Sequence, residues 1–402
     1  MLARLADRKS LVILGLNSGT SADGLDLAAV TVRRGRSGVK AVFLKGKSAA
    51  YPPNIRKLIL RIADSEKLPV AEIVYLDNLL GQWYGRAARS FISGLKRSNI
   101  SVDAVASHGQ TVRHLPRAIR FEGHTVRGTL QLGSLAHIAA ACGKVTVGDF
   151  RQSDVALGGE GAPITVAAMR ILFGSPTQTR LIVNVGGMSN YFCFPPESST
   201  QRITAADCGP GNVLSDLLCR ELYGEPYDRN GAHASRGTVS KRLLSLLQSS
   251  PYFSGRNQST GREDFGPKLA TRMIRFGKSM HLSADDLLGT AIELTASCIS
   301  RSVKPLVTES ALTRRVPAAG LYLTGGGSHN KFLCRRLSEM LGGLKVTTVR
   351  DLGMDPDLVE ASAFAVMGAC AIWSHPLPTQ FRGKVQRIVP ISGAICQPPS
   401  GR

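Results

Sequence analysis

Paired cysteines, long apolar runs and acidic side chains are what this sequence has little of. Its eight cysteines, Cys142, Cys193, Cys208, Cys219, Cys298, Cys334, Cys370 and Cys396, form no Cys-x-x-Cys pair. That spacing suits neither a zinc site nor a disulfide framework, and reduced thiols in a cytoplasmic protein are the plain reading. No apolar run approaches the roughly 18–20 residues that a membrane-spanning helix needs, so no membrane partner is expected. There is no GxxxxGK[ST], HExxH or GxSxG segment and no Cys–His pair at a recognisable spacing. A P-loop, a zinc protease helix and a hydrolase nucleophile elbow are therefore unsupported. Asp and Glu number 29 against 50 Lys and Arg, a formal charge of +21. Such an excess suits a nucleic-acid surface, or a solvated basic face that attracts anionic substrates. Basic residues cluster at Arg33–Arg36 and Lys40–Lys47, but no zinc finger or RNA-binding signature accompanies them, so the second reading is preferred and no nucleic-acid partner is expected.

What the chain does have is length, glycine and repeated strand ends. At 402 residues it exceeds one ordinary core and suggests two domains. With 43% apolar residues and 42 glycines, it reads as globular α/β with many tight turns. Leu11–Leu16, behind Arg4, Arg8 and Lys9, is too short for a secretory apolar region and runs into a turn. It reads as a first strand, with a short basic leader as the alternative. A turn at Asn17–Gly24 and a second apolar run at Leu25–Val32 complete a hairpin. Helices are expected over Pro53–Ala63 and Ala71–Lys96. A buried strand at Val102–Ala106 ends in Ser107-His108-Gly109-Gln110-Thr111. Strands at Leu130–Leu132 and Val145–Val147 flank another helix. The pattern then restarts: Leu181–Val185, a turn at Gly186–Asn190, and Tyr191–Phe194 form a second hairpin. A third Gly-rich strand end is Leu321–Ser328. The spacing of the hairpins suggests a duplicated domain. Lobe boundaries are expected at 1–150 and 151–375, with 376–402 returning to the first lobe and the tail from His375 irregular.

Several residues in this frame can carry chemistry. Gly-rich turns let backbone N–H groups approach phosphate oxygens, because no Cβ stands in the way. Ser18, Thr20 and Ser21 add hydroxyls, and Asp23 and Asp26 can hold Mg²⁺ directly or through water. On this reading Gly24→Val should impair ATP use more than stability. Asp207, after Ile203–Ala206 and before Gly209-Pro210-Gly211, is placed either as a general base or as a cap of the following turn or helix. Arg151 and Asp154 either pair with each other or bind a carboxylate. Glu360 begins an Ala-rich helix, as a first-turn acid favoured by the helix dipole or as a substrate acceptor. His108 and His114 have no partner at metal-ligand spacing, and structural or hydrogen-bonding roles are expected of them.

Taken in order from about Leu14 to Gly368, these segments resemble the anhydro-N-acetylmuramic acid kinase family. The matching residues are Ser18–Ser21 with Asp23–Asp26, Ser107–Thr111, Asp149-Phe150-Arg151 with Asp154, and Gly158–Pro163. They continue through Asn184–Gly187 with Asn190, Asp207–Asn212, Tyr227-Asp228-Arg229, Ser259–Glu263, Gly325–Gly327 and Glu360. Asn17, Ala22, Gln152, Glu160, Asn230, His233 and Gly266 depart from the pattern. The resemblance implies a two-lobed, actin-like (ribonuclease H-like) α/β ATPase fold with a nucleotide cleft between duplicated domains. It implies ATP and Mg²⁺ as cofactors and an anhydro amino sugar as substrate, and it leaves a homodimer open. The implied reaction opens the 1,6-anhydro bridge of anhydro-N-acetylmuramic acid with water and phosphorylates O6, giving N-acetylmuramate 6-phosphate and ADP. The alternatives are a kinase of the same superfamily for another sugar or anhydrosugar, and a non-catalytic nucleotide-binding protein of this fold. By the match, Gly19, Thr20, Ser21, Ala22, Asp23, Gly24, Leu25 and Asp26 bind ATP phosphates, with Gly186, Gly187, Gly325, Gly326 and Gly327 also at the nucleotide. Asp207 activates the water, Glu360 binds the sugar, and Arg151 and His108 contact the substrate.

Overall fold

Strand β1 (Ser10–Ser18) is buried along almost its whole length, as expected of a strand covered on both faces. It lies at the centre of a sheet in a computed structural model that describes all residues except 37, 66, 200–201, 250–264, 313–317, 380–386, 390–392 and 400–402. The Ser259–Glu263 motif therefore lies outside the described residues. β1 pairs antiparallel with β2 (Gly24–Gly35), and β2 pairs antiparallel with β3 (Gly38–Ala50). On its other edge β1 runs parallel to β4 (Ala104–Phe121), which carries β5 (His124–Leu132) as an antiparallel partner and runs parallel to β6 (Val145–Gly148).

The second sheet repeats this plan. β7 (Thr179–Val185), β8 (Met188–Phe194) and β9 (Thr204–Pro210) are antiparallel neighbours in that order. β7 also runs parallel to β10 (Ala318–Thr324), and β10 to β11 (Val346–Thr348). With β5 and the C-terminal strand beside β6 set aside, both sheets have the strand order 3-2-1-4-5 with the same sense at every pairing. This is a duplicated ribonuclease H-like plan, and each repeat opens with one of the hairpins visible in the sequence.

The two compact units are residues 1–172 with 358–402, and residues 173–357. The boundaries expected at 150/151 and 375/376 thus move to 172/173 and 357/358, for two packing reasons. The helix Phe150–Ala156 lies on β5 of the first unit, and its first residue, Phe150, is buried and stacks on Phe364, ring centres 5.7 Å apart. The helix Val359–Ile372 buries every residue except Glu360. A helix apolar on all sides must be covered all round, and this one lies on β1 and β2 of the first unit. Gly15 permits the approach, because a Cβ there would stand 1.8 Å from the Ala361 carbonyl oxygen. The opposite face of that sheet is covered by the helices Pro53–Asp64 and Val70–Lys96, through Ile55, Ile59, Leu76, Leu80 and Tyr84.

Three local expectations change. The basic run at 40–47 is not only a charged surface but part of β3, whose side chains are mostly exposed; lysines on an outer strand also oppose edge-to-edge aggregation. β4 does not end at residues 107–111 but continues to Phe121 with β5 beside it. The tail contributes β12 (Leu377–Thr379) and β13 (Arg387–Val389), paired with each other, and β14 (Ala394–Cys396), paired with β6.

Candidate active site

In the first unit the turn between β1 and β2 is closed by Ala22 N–H donating to the Gly19 carbonyl at 3.1 Å. Ala22 has φ +52, and Thr20 and Ser21 are exposed beside it. The side chains of Ala22 and Leu25 lie in the core, so only their backbones are available to a ligand. The two glycines differ. A Cβ on Gly19 would meet only Ser21 Oγ, at 3.8 Å, and its φ is not left-handed. A Cβ on Gly24 would stand 2.3 Å from the Ala49 carbonyl oxygen of β3. Gly24 is therefore required by the sheet, so Gly24→Val would cost stability as well as any loss in ATP use.

Acidic and basic groups gather beyond this turn. Asn17 and Asp26 are cross-strand partners and so share a face. Asn17 Nδ2 donates to Glu360 Oε2 at 2.9 Å, and Ser48 Oγ donates to Asp26 at 2.5 Å. Asp23 is exposed and pairs with Arg56 at 3.0 Å. Arg151 donates from Nε to His108 Nε2 at 2.9 Å and from Nη1 to the Gly161 carbonyl at 2.6 Å. His108 Nδ1 lies 2.9 Å from the Gly109 carbonyl. A carbonyl only accepts, so the proton sits on Nδ1 and Nε2 is the acceptor for Arg151. Burial, and then the Arg151 charge, hold the His108 pKa well below the usual histidine range. Burial also lowers that of Arg151, while the Glu360 carboxylate opposes the shift. Asp154 does not pair with Arg151: it accepts from Gly161 N–H at 2.7 Å, so acid and base grip the same glycine from its two polar groups. Gln152 donates to the Thr129 carbonyl at 2.8 Å, a structural contact.

In the second unit Gly186 and Gly187 turn β7 into β8. Their carbonyls accept from the N–H groups of Asn212, Gly211 and Val213 at 2.8–3.1 Å. A Cβ on Gly186 would meet Met188 O at 3.6 Å, an ordinary contact distance. At the end of β10, Gly325 has φ +77 and would strike Asn184 Oδ1, and Gly327 would strike Val185. Gly326 between them is open, with Asn212 Nδ2 at 3.7 Å. Asp207 is exposed on β9, opposite Asn190. The Asn190 Oδ1 is buried without a hydrogen-bond partner. The helix that follows starts at Val213 with Asn212 at its N-cap, so Asp207 is not its cap. His233 stacks on Tyr223 at 3.8 Å, where Arg236 and Asp285 join it.

Gly19, Gly186 and Gly326 thus stand where neither packing nor backbone angle demands glycine. At each of them, taken within its own unit, the backbone is accessible to close approach by a ligand. Mg²⁺ needs only one or two carboxylates beside water and phosphate, and of the two carboxylates beside this turn Asp23 pairs with Arg56 while Asp26 accepts from Ser48. No cluster of three or more potential ligand side chains occurs among the described residues. The sequence reading missed Asn17 and Gln110 as site residues. Their signal was a polar side chain at the end of an otherwise apolar strand.

A sequence model described as anhydro-N-acetylmuramic acid kinase matches residues 11–386. Curated relatives with that name include one from Caldanaerobacter subterraneus subsp. tengcongensis, 34% identical over 92% of each chain. Another, from Salinibacter ruber, is 34% identical over 100% of this chain and 98% of its own. A third, from Shewanella halifaxensis, is 35% identical over 88% and 89%.

Proposed function

Because the chain belongs to the anhydro-N-acetylmuramic acid kinase family, we propose that it uses ATP to phosphorylate O6 of 1,6-anhydro-N-acetylmuramic acid while water opens the anhydro bridge. The single observation that carries the nucleotide half of this reading is the set of glycines, Gly19, Gly186 and Gly326, that the protein's own packing does not require.

Asp207 takes a proton from water as the water oxygen bonds to C1. The C1–O6 bond breaks, and O6 accepts the γ-phosphoryl group as ADP leaves. The proton on Asp207 then passes to solvent. A carboxylate side chain is a chemically suitable acceptor for that proton. The turn at residues 19–26 binds phosphate oxygens through its backbone and the hydroxyls of Thr20 and Ser21. Gly186, Gly187 and residues 325–327 contact the nucleotide. Asp26 and Asp23 would hold Mg²⁺, which would supply charge neutralisation on the transferring group. Glu360, fixed by Asn17, binds the sugar. Arg151, fixed by His108 and Gly161, offers its remaining N–H groups to a substrate anion.

The setting proposed is the cytoplasm. No helix among the described residues is long and apolar enough to cross a membrane, and none of the eight cysteines is disulfide-bonded. The basic surface is read as solvated, without a nucleic-acid partner, and a homodimer is compatible with the reading.

The direct test incubates the protein with ATP, Mg²⁺ and anhydro-N-acetylmuramic acid in H₂¹⁸O. The expected product is N-acetylmuramate 6-phosphate with ¹⁸O at C1 and none in phosphate, read early against an exchange control. Absence of a 6-phosphate, or label in the phosphate, overturns the reading.

A further inference from the structure

We propose that Tyr51, Ser18 and Gln110 are positioning residues for the phosphate turn: a one-way chain of hydrogen bonds that holds the Gly19 and Gly24 carbonyls inward and leaves the amide edge of the turn for the nucleotide. This rests on the reading of residues 19–26 as an ATP phosphate turn.

The chain's direction follows from its ends. Gln110 is the β4 partner of Ser18. Its side-chain nitrogen lies 3.1 Å from the Gly19 carbonyl and 3.3 Å from that of Thr111. Carbonyls only accept, so Nε2 must face them and Oε1 must face Ser18, whose Oγ is 2.6 Å away. The single Ser18 proton is shared between Gln110 Oε1 and the Gly24 carbonyl, 2.9 Å from Oγ. Ser18 must therefore accept from the Tyr51 hydroxyl at 2.9 Å. The Tyr51 proton is then committed, and Tyr84, 2.6 Å away, must donate to Tyr51. Burial pushes the Tyr51 hydroxyl up to about 12 and that of Tyr84 well above its ordinary value. Both stay protonated, as donors must. Ser18, Gln110, Tyr51 and Tyr84 are all buried.

A buried polar network is costly unless every member is satisfied, and once satisfied it specifies one geometry. The β1–β2 ladder already pairs the hairpin without these side chains. What they add is a grip on the carbonyls at the two ends of the turn. The second unit does the same job by other means. There the Gly186 and Gly187 carbonyls are held by backbone N–H groups of residues 211–213 at the start of a helix. In the first unit the counterpart of β9 is β3, and there Tyr51 N–H, just past the end of β3, donates to the Asp23 carbonyl at 3.1 Å. The side chains of Gln110 and Ser18 add the grip on the Gly19 and Gly24 carbonyls. Carbonyls turned inward cannot repel a phosphate, and the exposed N–H edge can bind it.

The test uses the full chain with Tyr51→Phe, Gln110→Met and Gln110→Glu. Affinity for a non-hydrolysable ATP analogue, KM for ATP, KM for the sugar and the melting temperature are measured for each. Tyr51→Phe and Gln110→Met should weaken nucleotide binding about tenfold, the scale of one buried hydrogen bond lost, and leave the KM for the sugar within twofold of wild type. Gln110→Glu keeps an acceptor for Ser18, loses the donor to Gly19 and adds negative charge behind the phosphates, so it should weaken ATP most. A merely structural role would lower the melting temperature without separating the two KM values. Folded Tyr51→Phe protein that binds nucleotide as wild type does would overturn the proposal while leaving the phosphate-turn reading intact. A wild-type protein that binds no nucleotide would overturn both.

Discussion

Gly19 and Gly24 stand at the two ends of one turn, and the structure predicts opposite outcomes for the same substitution. At Gly19 an added methyl meets only Ser21 Oγ, at 3.8 Å, and the backbone is not left-handed. Gly19→Ala should therefore stabilise the fold by about 0.4–1 kcal/mol, because the unfolded chain loses freedom. The melting temperature should rise by roughly 1–4 °C for a chain of this class. The same methyl stands where a phosphate oxygen must come within about 2.9 Å of an amide nitrogen. Losing one charge-assisted hydrogen bond costs about 1.5–3 kcal/mol, which is roughly ten- to hundredfold in ATP affinity. At Gly24 the methyl would stand 2.3 Å from the Ala49 carbonyl oxygen and 3.0 Å from Ala50 Cα. Both are backbone atoms that cannot rotate away, so Gly24→Ala should destabilise by about 1–3 kcal/mol. Thermal melts and titration with a non-hydrolysable ATP analogue read the two effects separately. If Gly19→Ala bound nucleotide like wild type, the turn would be an ordinary hairpin and the argument from open glycines would fail.

Asp207→Asn should keep fold and ATP binding and lose about 10²–10⁴-fold in turnover; retention of more than about a tenth of the rate would move the base elsewhere, with Glu360 the next candidate. Asn17→Leu removes the donor to Glu360, so it should raise the KM for the sugar more than that for ATP, and equal changes in both would refute the link. His108 is neutral in the fold, with its pKa pushed below the ordinary value of 6.5. Below about pH 6.5 the unfolded chain therefore binds more protons than the native state, and stability is lost as the pH is lowered through that window. Melting temperatures at pH 7.5 and 5.5 should fall further for wild type than for His108→Gln, and an equal fall would show that His108 does not titrate as described.

Much of the candidate site was legible because it is local. Apolar runs broken by glycine place the β1–β2 and β7–β8 hairpins, since strand and turn preferences act over a few residues. Asp207 sits in a strand and Glu360 in the first turn of a helix, close to where their neighbours in sequence put them. β3 was missed because its lysines mask a strand whose side chains are mostly exposed, and the length of β4 because no turn residue marks where its buried part ends.

The sequence by itself determined the repeated strand–turn–strand units, the residue types at their tips and, through the order of its motifs, the family. Only tertiary structure decided what each of those residues touches. Asn17 meets Glu360 across 343 positions, and Arg151 meets His108 across 43. Gly19 and Gly24 look alike in the chain, and β3 alone makes one indispensable to the sheet and leaves the other open to a ligand. Backbone preference is a property of neighbours along the chain. A hydrogen bond or a steric clash depends on distance in space, and these distances exist only once the strands have paired and the helix Val359–Ile372 has settled onto β1.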